Sequence, residues 1–325
     1  MAFLWPALGS ALELERLRVG TGGDTLFQEK HKIILRDNQG HFHRLYLRGG
    51  KLQVDKLSGF QRTMPEMPVD ALPDGVMSDG KVNILRAWLT GPTDRYDHGI
   101  LGDGIEASGL AVDTITGTKL TLTLPKSSVF EDRQARPLDV DGDGVEEIVA
   151  VRSYLHAGAA LAVMSAKNNK LQIIAETPAI GMSNRWLNPI GVGDFDGDGG
   201  PEIAYIETPH IGGILKVFRL KAGDFSQVYT APGFSNHAIG SREQGLSAIF
   251  DANGDGAADI LLPDARRRQL RLVSFQGGNF RELGKIAIPG KISSGFYQLR
   301  AMERTAAVVF LNSAGDLILV EIPGK

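Results

Sequence analysis

The chain contains no cysteine, which removes disulfide bonds, thiolate nucleophiles and thiolate metal ligands in one step. It holds no apolar run of the ~18–20 residues that a helix needs to cross a bilayer, so no membrane span is expected. Charge of one sign is missing as well. With 35 basic against 38 acidic side chains the net charge is −3, too balanced to leave the footprint of a nucleic-acid partner. Phosphate-binding loops, Gly-x-Ser-x-Gly elbows, His-Glu-x-x-His pairs and dinucleotide fingerprints are absent, so no common enzyme signature applies. Nor does any stretch hold a 3.6-residue apolar period for ten residues, and no substantial helix is expected.

What the chain does have is glycine, 40 residues in 325, scattered between short apolar runs in the manner of turns between many short strands. A hydrophobic fraction of 42% is enough for a buried core and too high for disorder. The segment Met1 to Leu12 (MAFLWPALGSAL) is almost wholly apolar and precedes the charged run Glu13-Leu14-Glu15-Arg16. It has the shape of an export-signal h-region with Ala11 as the last residue removed. Residues 1–11 are therefore expected to be a signal remnant, residues 12–325 a single repeat domain, and the location periplasmic or secreted.

Self-similarity organises the rest. Asp139 opens DVDGDGVEEIVAV, Asp194 opens DFDGDGGPEIAYI and Asp251 opens DANGDGAADILLP, 55 and 57 residues apart. Each loop runs at once into an apolar strand-like segment, followed by two more. The same period reaches weaker copies at Ile84 and Ile33 backward and at Ala306 forward. Repeats of three or four strands at about 55 residues predict an all-β fold, a β-propeller. Six blades are expected, with seven as the alternative because Met64 to Asp79 is unassigned. The last repeat is short of a strand, and residues 12–19 are expected to supply it, closing the ring and hiding its edges.

Each acidic loop reads as a metal site. In the first, Asp139, Asp141 and Asp143 occupy positions one, three and five, glycine at position six allows a positive φ, Val145 offers a carbonyl and Glu147 a carboxylate. The second set is Asp194, Asp196, Asp198, the Gly200 carbonyl and Glu202; the third is Asp251, Asn253, Asp255, the Ala257 carbonyl and Asp259. An all-oxygen shell of this kind suits Ca²⁺, giving three expected calcium ions. They would move the net charge from −3 to about +3. An EF-hand is excluded, because position twelve is Ala150, Tyr205 or Leu262 where that loop needs a bidentate Glu, and strands follow where it needs helices.

These segments resemble the calcium loops of FG-GAP and VCBS repeats, the blades of integrin-α-like propellers. In those loops Asp-x-Asp/Asn-x-Asp-Gly-x-x-Asp/Glu leads into a strand, as at Asp139 to Ile148, Asp194 to Ile203 and Asp251 to Ile260. The match is strong over residues 139–262 and only periodic elsewhere. Integrin Phe-Gly and Gly-Ala-Pro signatures are missing, although Gly191-Val192-Gly193 stands where a glycine-rich turn would precede the second loop, which points to a bacterial-type VCBS protein. The resemblance implies ions that brace the blades.

Outside the loops, Arg95-Tyr96-Asp97-His98-Gly99 with Asp103 and Glu106 is the densest polar cluster and the first place to look for acid–base chemistry. It falls where the second repeat would be expected to carry a calcium loop of its own. His41 and His43 share a strand face without an evident third ligand. Arg266-Arg267-Arg268 reads as a solvated turn. Trp88 reads as core and Trp186 as the better ligand contact. The expected function is a non-catalytic calcium-binding propeller acting as a binding or scaffold module for a protein or glycan. A lectin, or a hydrolase or lyase built on the same frame, are the alternatives.

Overall fold

A computed structural model describes residues 12, 14–20, 22–300 and 306–322; the expected signal remnant over 1–11 lies outside them. Among the described residues, twenty-five strands and one short 3₁₀ turn at Gln276–Gly278 make up the regular structure. Strand β1 (Glu15–Gly20) is set aside for the end of the ring. The first blade is β2 (Gly23–Glu29), β3 (Lys32–Asp37), β4 (Phe42–Arg48) and β5 (Lys51–Leu57). The second is β6 (Ser78–Asp79), β7 (Ile84–Thr93), β8 (Glu106–Thr114) and β9 (Lys119–Thr123). Strand β10 (Ser128–Phe130) pairs with both neighbours and fuses the second blade to the third, β11 (Arg136–Leu138), β12 (Glu147–Tyr154), β13 (Gly158–Ser165) and β14 (Gln172–Glu176). The fourth is β15 (Leu187–Gly193), β16 (Glu202–Glu207), β17 (Ile214–Lys221) and β18 (Asp224–Pro232). The fifth is β19 (Ala248–Phe250), β20 (Asp259–Pro263), β21 (Gln269–Ser274) and β22 (Arg281–Ala287). The sixth is β23 (Tyr297–Arg300), β24 (Ala306–Leu311) and β25 (Leu317–Ile322).

The fold is a six-bladed β-propeller closed by β1, which pairs antiparallel with β25 as the outer strand of the last blade. Arg18 on β1 reaches Asp316 at 2.7 Å across that closure. Met64 to Asp79 is not a seventh blade. It ends in the two-residue β6 and otherwise lies along β7, with Leu72 N–H donating to the Leu89 carbonyl and Gly91 N–H to that of Asp70. The innermost strands of the later blades, β11, β15, β19 and β23, lie before the acidic loops or their equivalents; three are only three or four residues long and β15 is interrupted by Pro189 and Gly191, so periodicity does not mark them. Gly191-Val192-Gly193 is part of one of them, β15, and not a turn.

Strand alternation explains how the ring is packed. Ile148 and Ala150 of β12 face the second blade, among Ile84, Leu110 and Val112. Val149 and Val151, one residue out of phase, face the fourth blade, among Ile203, Tyr205 and Phe218. The same two-sided pattern places Ala204 and Ile206 against Ile260 and Leu262, and Leu261 against Val308 and Phe310. Ala307 and Val309 then meet Leu26 and Leu35 of the first blade. Strands buried on both faces therefore read as continuous apolar runs. The sixth seam, between blades one and two, is thin. There Ala71, Trp88 and Ala111 form a small cluster edged by Met67 and Met77.

Candidate functional site

Within an antiparallel blade, the connections from first to second and from third to fourth strand emerge on one face of the disc, and the others on the opposite face. All three acidic loops join a first strand to a second, at β11–β12, β15–β16 and β19–β20, and so share one face.

Their internal hydrogen bonds repeat. The position-one carboxylate accepts the N–H of positions four and six: Asp139 from Gly142 and Gly144 at 2.8 and 3.0 Å, Asp194 from Gly197 and Gly199 at 2.8 and 2.9 Å, Asp251 from Gly254 and Gly256 at 2.7 and 3.0 Å. The glycines at positions four and six of each loop have φ between +75° and +91°, the left-handed region that this curl requires. Position three accepts the N–H of position five, Asp141 from Asp143, Asp196 from Asp198 and Asn253 from Asp255. Position five accepts the N–H of position seven, Asp143 from Val145, Asp198 from Gly200 and Asp255 from Ala257. The position-nine carboxylate gives one oxygen to the N–H of position two: Glu147 to Val140 at 3.2 Å, Glu202 to Phe195 at 2.9 Å and Asp259 to Ala252 at 2.9 Å.

The other oxygen of position nine is what points to a cation. Glu147 Oε1 and Asp259 Oδ1 are buried without a well-formed hydrogen bond, with Lys167 held 3.9 Å from the first and only the Ser274 hydroxyl near the second, a costly state for a carboxylate that lacks a close counter-charge. Burial pushes Glu147 up to about 7 and Asp259 up to about 6, and the neighbouring Asp141 and Asp143, or Asp255 and Asp251, push the same way. Ligand oxygens of Asp139, Asp141 and Glu147 lie within 4.8 Å of one another, as do those of Asp194, Asp196 and Glu202. These two groups fit a metal ion. The third loop keeps the buried oxygen of Asp259, but its Asn253 turns an amide N–H toward Asp255 Oδ2 at 2.8 Å.

The second loop differs in a way its sequence does not announce. Arg219 of β17 lays its guanidinium on the same carboxylates, 2.8 Å from Asp196 and 2.9 Å from Asp198, and bonds Glu202 as well. The corresponding ladder positions in blades three and five are Ser165 and Ser274. In the first loop Lys167 reaches Asp143 at 2.6 Å but stays 3.9 Å from Glu147 Oε1. Glu146, at position eight, leaves its own loop. Its carboxylate accepts Lys81 and Val82 N–H at 2.9–3.0 Å, stitching the corresponding turn of blade two, which lacks acidic residues of its own.

The Arg95–Glu106 cluster lies on the opposite face, in the β7–β8 connection, so it is not a fourth copy of the acidic loop. Asp97 is exposed and takes no part. Its place is filled by Glu131, from the link between blades two and three. Glu131 is buried, bonds His98 Nδ1 at 2.5 Å and accepts the Ser153 hydroxyl. Burial raises its pKa against the pull of His98. Glu106 is buried nearby and pushed up to about 10, by burial first and then by Glu131, Asp103, Asp74 and Asp132. It is a neutral acid at pH 7. Trp186 is buried too, its indole N–H donating to the Glu131 carbonyl at 2.9 Å, so it is not available as the direct ligand contact expected from the sequence. Around it His210 Nε2–H donates to His237 Nδ1 and His237 Nε2–H to the Ser241 carbonyl, each at 2.9 Å; the carbonyl can only accept, which fixes both tautomers. Trp88 is core as expected. His41 and His43 both lean on Asp37, at 3.4 and 2.9 Å.

No family model matches the chain, and no curated protein does. Among solved structures it is similar to the WD40 domain of Toxoplasma gondii coronin, at 11% identity and TM-score 0.38 over 90% of this chain. It is also similar to rhamnogalacturonan lyase YesW, at 13% and 0.45 over 93%, and to the Bacillus licheniformis rhamnogalacturonan lyase PL11, at 13% and 0.45 over 94%. The chain spans 66% of the length of each, just under two thirds. Among the described residues, no helix is long and apolar enough to cross a membrane.

Proposed function

We propose that the protein is a calcium-binding propeller of the FG-GAP/VCBS kind, exported from the cytoplasm, that serves as a rigid binding or scaffold module. The observation that carries this reading is the buried carboxylate oxygen, without a well-formed hydrogen bond, at position nine of the first and third loops, inside one hydrogen-bond pattern repeated three times. Asp139, Asp141, Asp143 and Glu147, with their counterparts in the other two loops, would hold the ion. A divalent cation there supplies charge neutralisation and fixes the loop, with no chemistry of its own. The metal face then braces the disc, and the opposite face, built from longer connections, is free to recognise a ligand.

The test is elemental analysis together with calorimetric melting in calcium and after chelation. Saturation at 100-fold over Kd adds ~2.7 kcal/mol per site, so chelation should lower the Tm by several degrees. An unchanged Tm in a protein with no bound ion would remove the reading.

One observation favours catalysis as a second reading. Glu131 orients His98 through Nδ1, leaving Nε2 as the basic nitrogen, with the protonated Glu106 as an acid in the same region. In that case His98→Gln abolishes whatever turnover is found while calcium content is unchanged; activity that survives it excludes this route.

A further inference from the structure

The turn that reads in sequence as three solvated arginines is, in the folded protein, one wall of a cleft. A cavity of about 470 Å³ opens on the ligand face between blades four and five, lined by His210, Ile239, Arg266, Arg267, Arg268 and Lys291. Four cations thus converge from two separate connections, β20–β21 and β22–β23. Among the described residues, no carboxylate forms an ion pair with any of the four. The nearest acid in sequence, Asp264, has Oδ1 occupied by the N–H groups of Arg268 and Gln269.

Arg267 is the anchored member. Its Nη1 bonds the His237 carbonyl, while its Nε is buried and has no partner. Its backbone sits at φ +55°, in the left-handed region that non-glycine residues rarely enter. Without a counter-charge such a group is costly to bury. Exposed Ile239 gives the cleft an apolar margin.

We propose that this cleft binds an anionic ligand carrying more than one carboxylate, sulfate or phosphate group. The inference deepens the binding-module reading and rests on it, but it does not depend on metal occupancy. Guanidinium groups supply paired N–H donors matched to such oxyanions, and the missing carboxylates leave the cations available.

Trp186 makes the test direct, since its indole stacks parallel to His210 at 6.2 Å, with 4° between the planes. Inorganic sulfate, an oligouronate, a sulfated oligosaccharide and a neutral oligosaccharide are titrated by tryptophan fluorescence and calorimetry at fixed free calcium. The expected result is saturable one-to-one binding of at least one anionic probe and none of the neutral sugar. The oligouronate and sulfated arms separate carboxylate from sulfate as the preferred group. The doubly substituted Arg266→Gln/Arg268→Gln variant should lose at least tenfold in affinity with an unchanged melt, since both side chains are exposed. Lys291→Gln should weaken the same probe independently. Equal binding by the variants, equal binding of the neutral sugar, or no saturable binding of any anionic probe would each overturn the assignment. Ion content, measured on the same samples, reports on the calcium reading separately.

Discussion

At Glu147 a single oxygen separates two accounts of the acidic loop. If the carboxylate is there to hold a cation, Glu147→Gln should weaken calcium binding by about tenfold or more, ~1.4 kcal/mol. In chelated protein the same change should leave the Tm unchanged or raise it, because a neutral amide replaces a buried charge that lacks a close counter-charge. Calorimetry in the two buffers reads both, and a loss of Tm in chelator with unaltered calcium affinity would identify a metal-free structural turn. His237 makes a second prediction at this scale. Burial, with help from Arg267, pulls it down to about 4, and His210 down to about 3. Between that value and the ordinary ~6.5 the unfolded chain binds the more protons, so this contribution is complete above pH 6.5 and falls away as the pH drops. His237→Asn should therefore cost stability at pH 7 yet remove about 2 kcal/mol of the decline between pH 6.5 and 5. Urea midpoints at the two pH values check it. Glu106 and Glu131, both raised, contribute with the opposite sign and are common to both proteins.

Among the elements, the three loops are alike in sequence and unlike in surroundings. Arg219 neutralises the second from within, while the third, with Asn253 in place of an aspartate, carries one carboxylate fewer. Removing the guanidinium by Arg219→Gln should lower the Tm in chelator and enlarge the calcium-induced rise, since four carboxylates are then left to the ion alone. A variant whose calcium response is the same as that of the parent would show that Arg219 and the ion do not share ligands. Most of these elements were legible beforehand. Ile148–Val151, Ile203–Ile206 and Ile260–Leu262 are strands because they are apolar on both faces, and the loops before them announce their curl in alternating acids and glycines. The inner strands were not. Arg136-Pro137-Leu138 and Ala248-Ile249-Phe250 are three residues long and lie near the disc axis, too short for any period to register.

For the molecule as a whole, five inter-blade seams are filled by alternating aliphatics and one is not. Between blades one and two the chain from Arg62 to Met77 covers Trp88 with loop and leaves a cavity of about 210 Å³ beside Phe27, with Met64 and Val69 exposed. Local opening follows contact density, so amides of residues 62–79 should exchange first and those of β12 and β13, buried at every position but Tyr154, last. Hydrogen exchange followed by mass spectrometry maps this. Protection in 62–79 equal to that of β12 would mean the ring has no weak seam.

The sequence alone determined the repeat, the strand-rich class, the closing role of the N-terminal strand and the positions of the acidic loops. All of these are short-range facts: a period, an alternation, a glycine where φ must be positive. Tertiary structure decided what depends on residues far apart in the chain. Glu131 replaces Asp97 beside His98, Arg219 enters a loop of which it is not part, Trp186 turns inward, and Lys291 joins three arginines around a cleft. Ring closure brings these groups together from different blades, and no local pattern records which side chain will meet which across a seam.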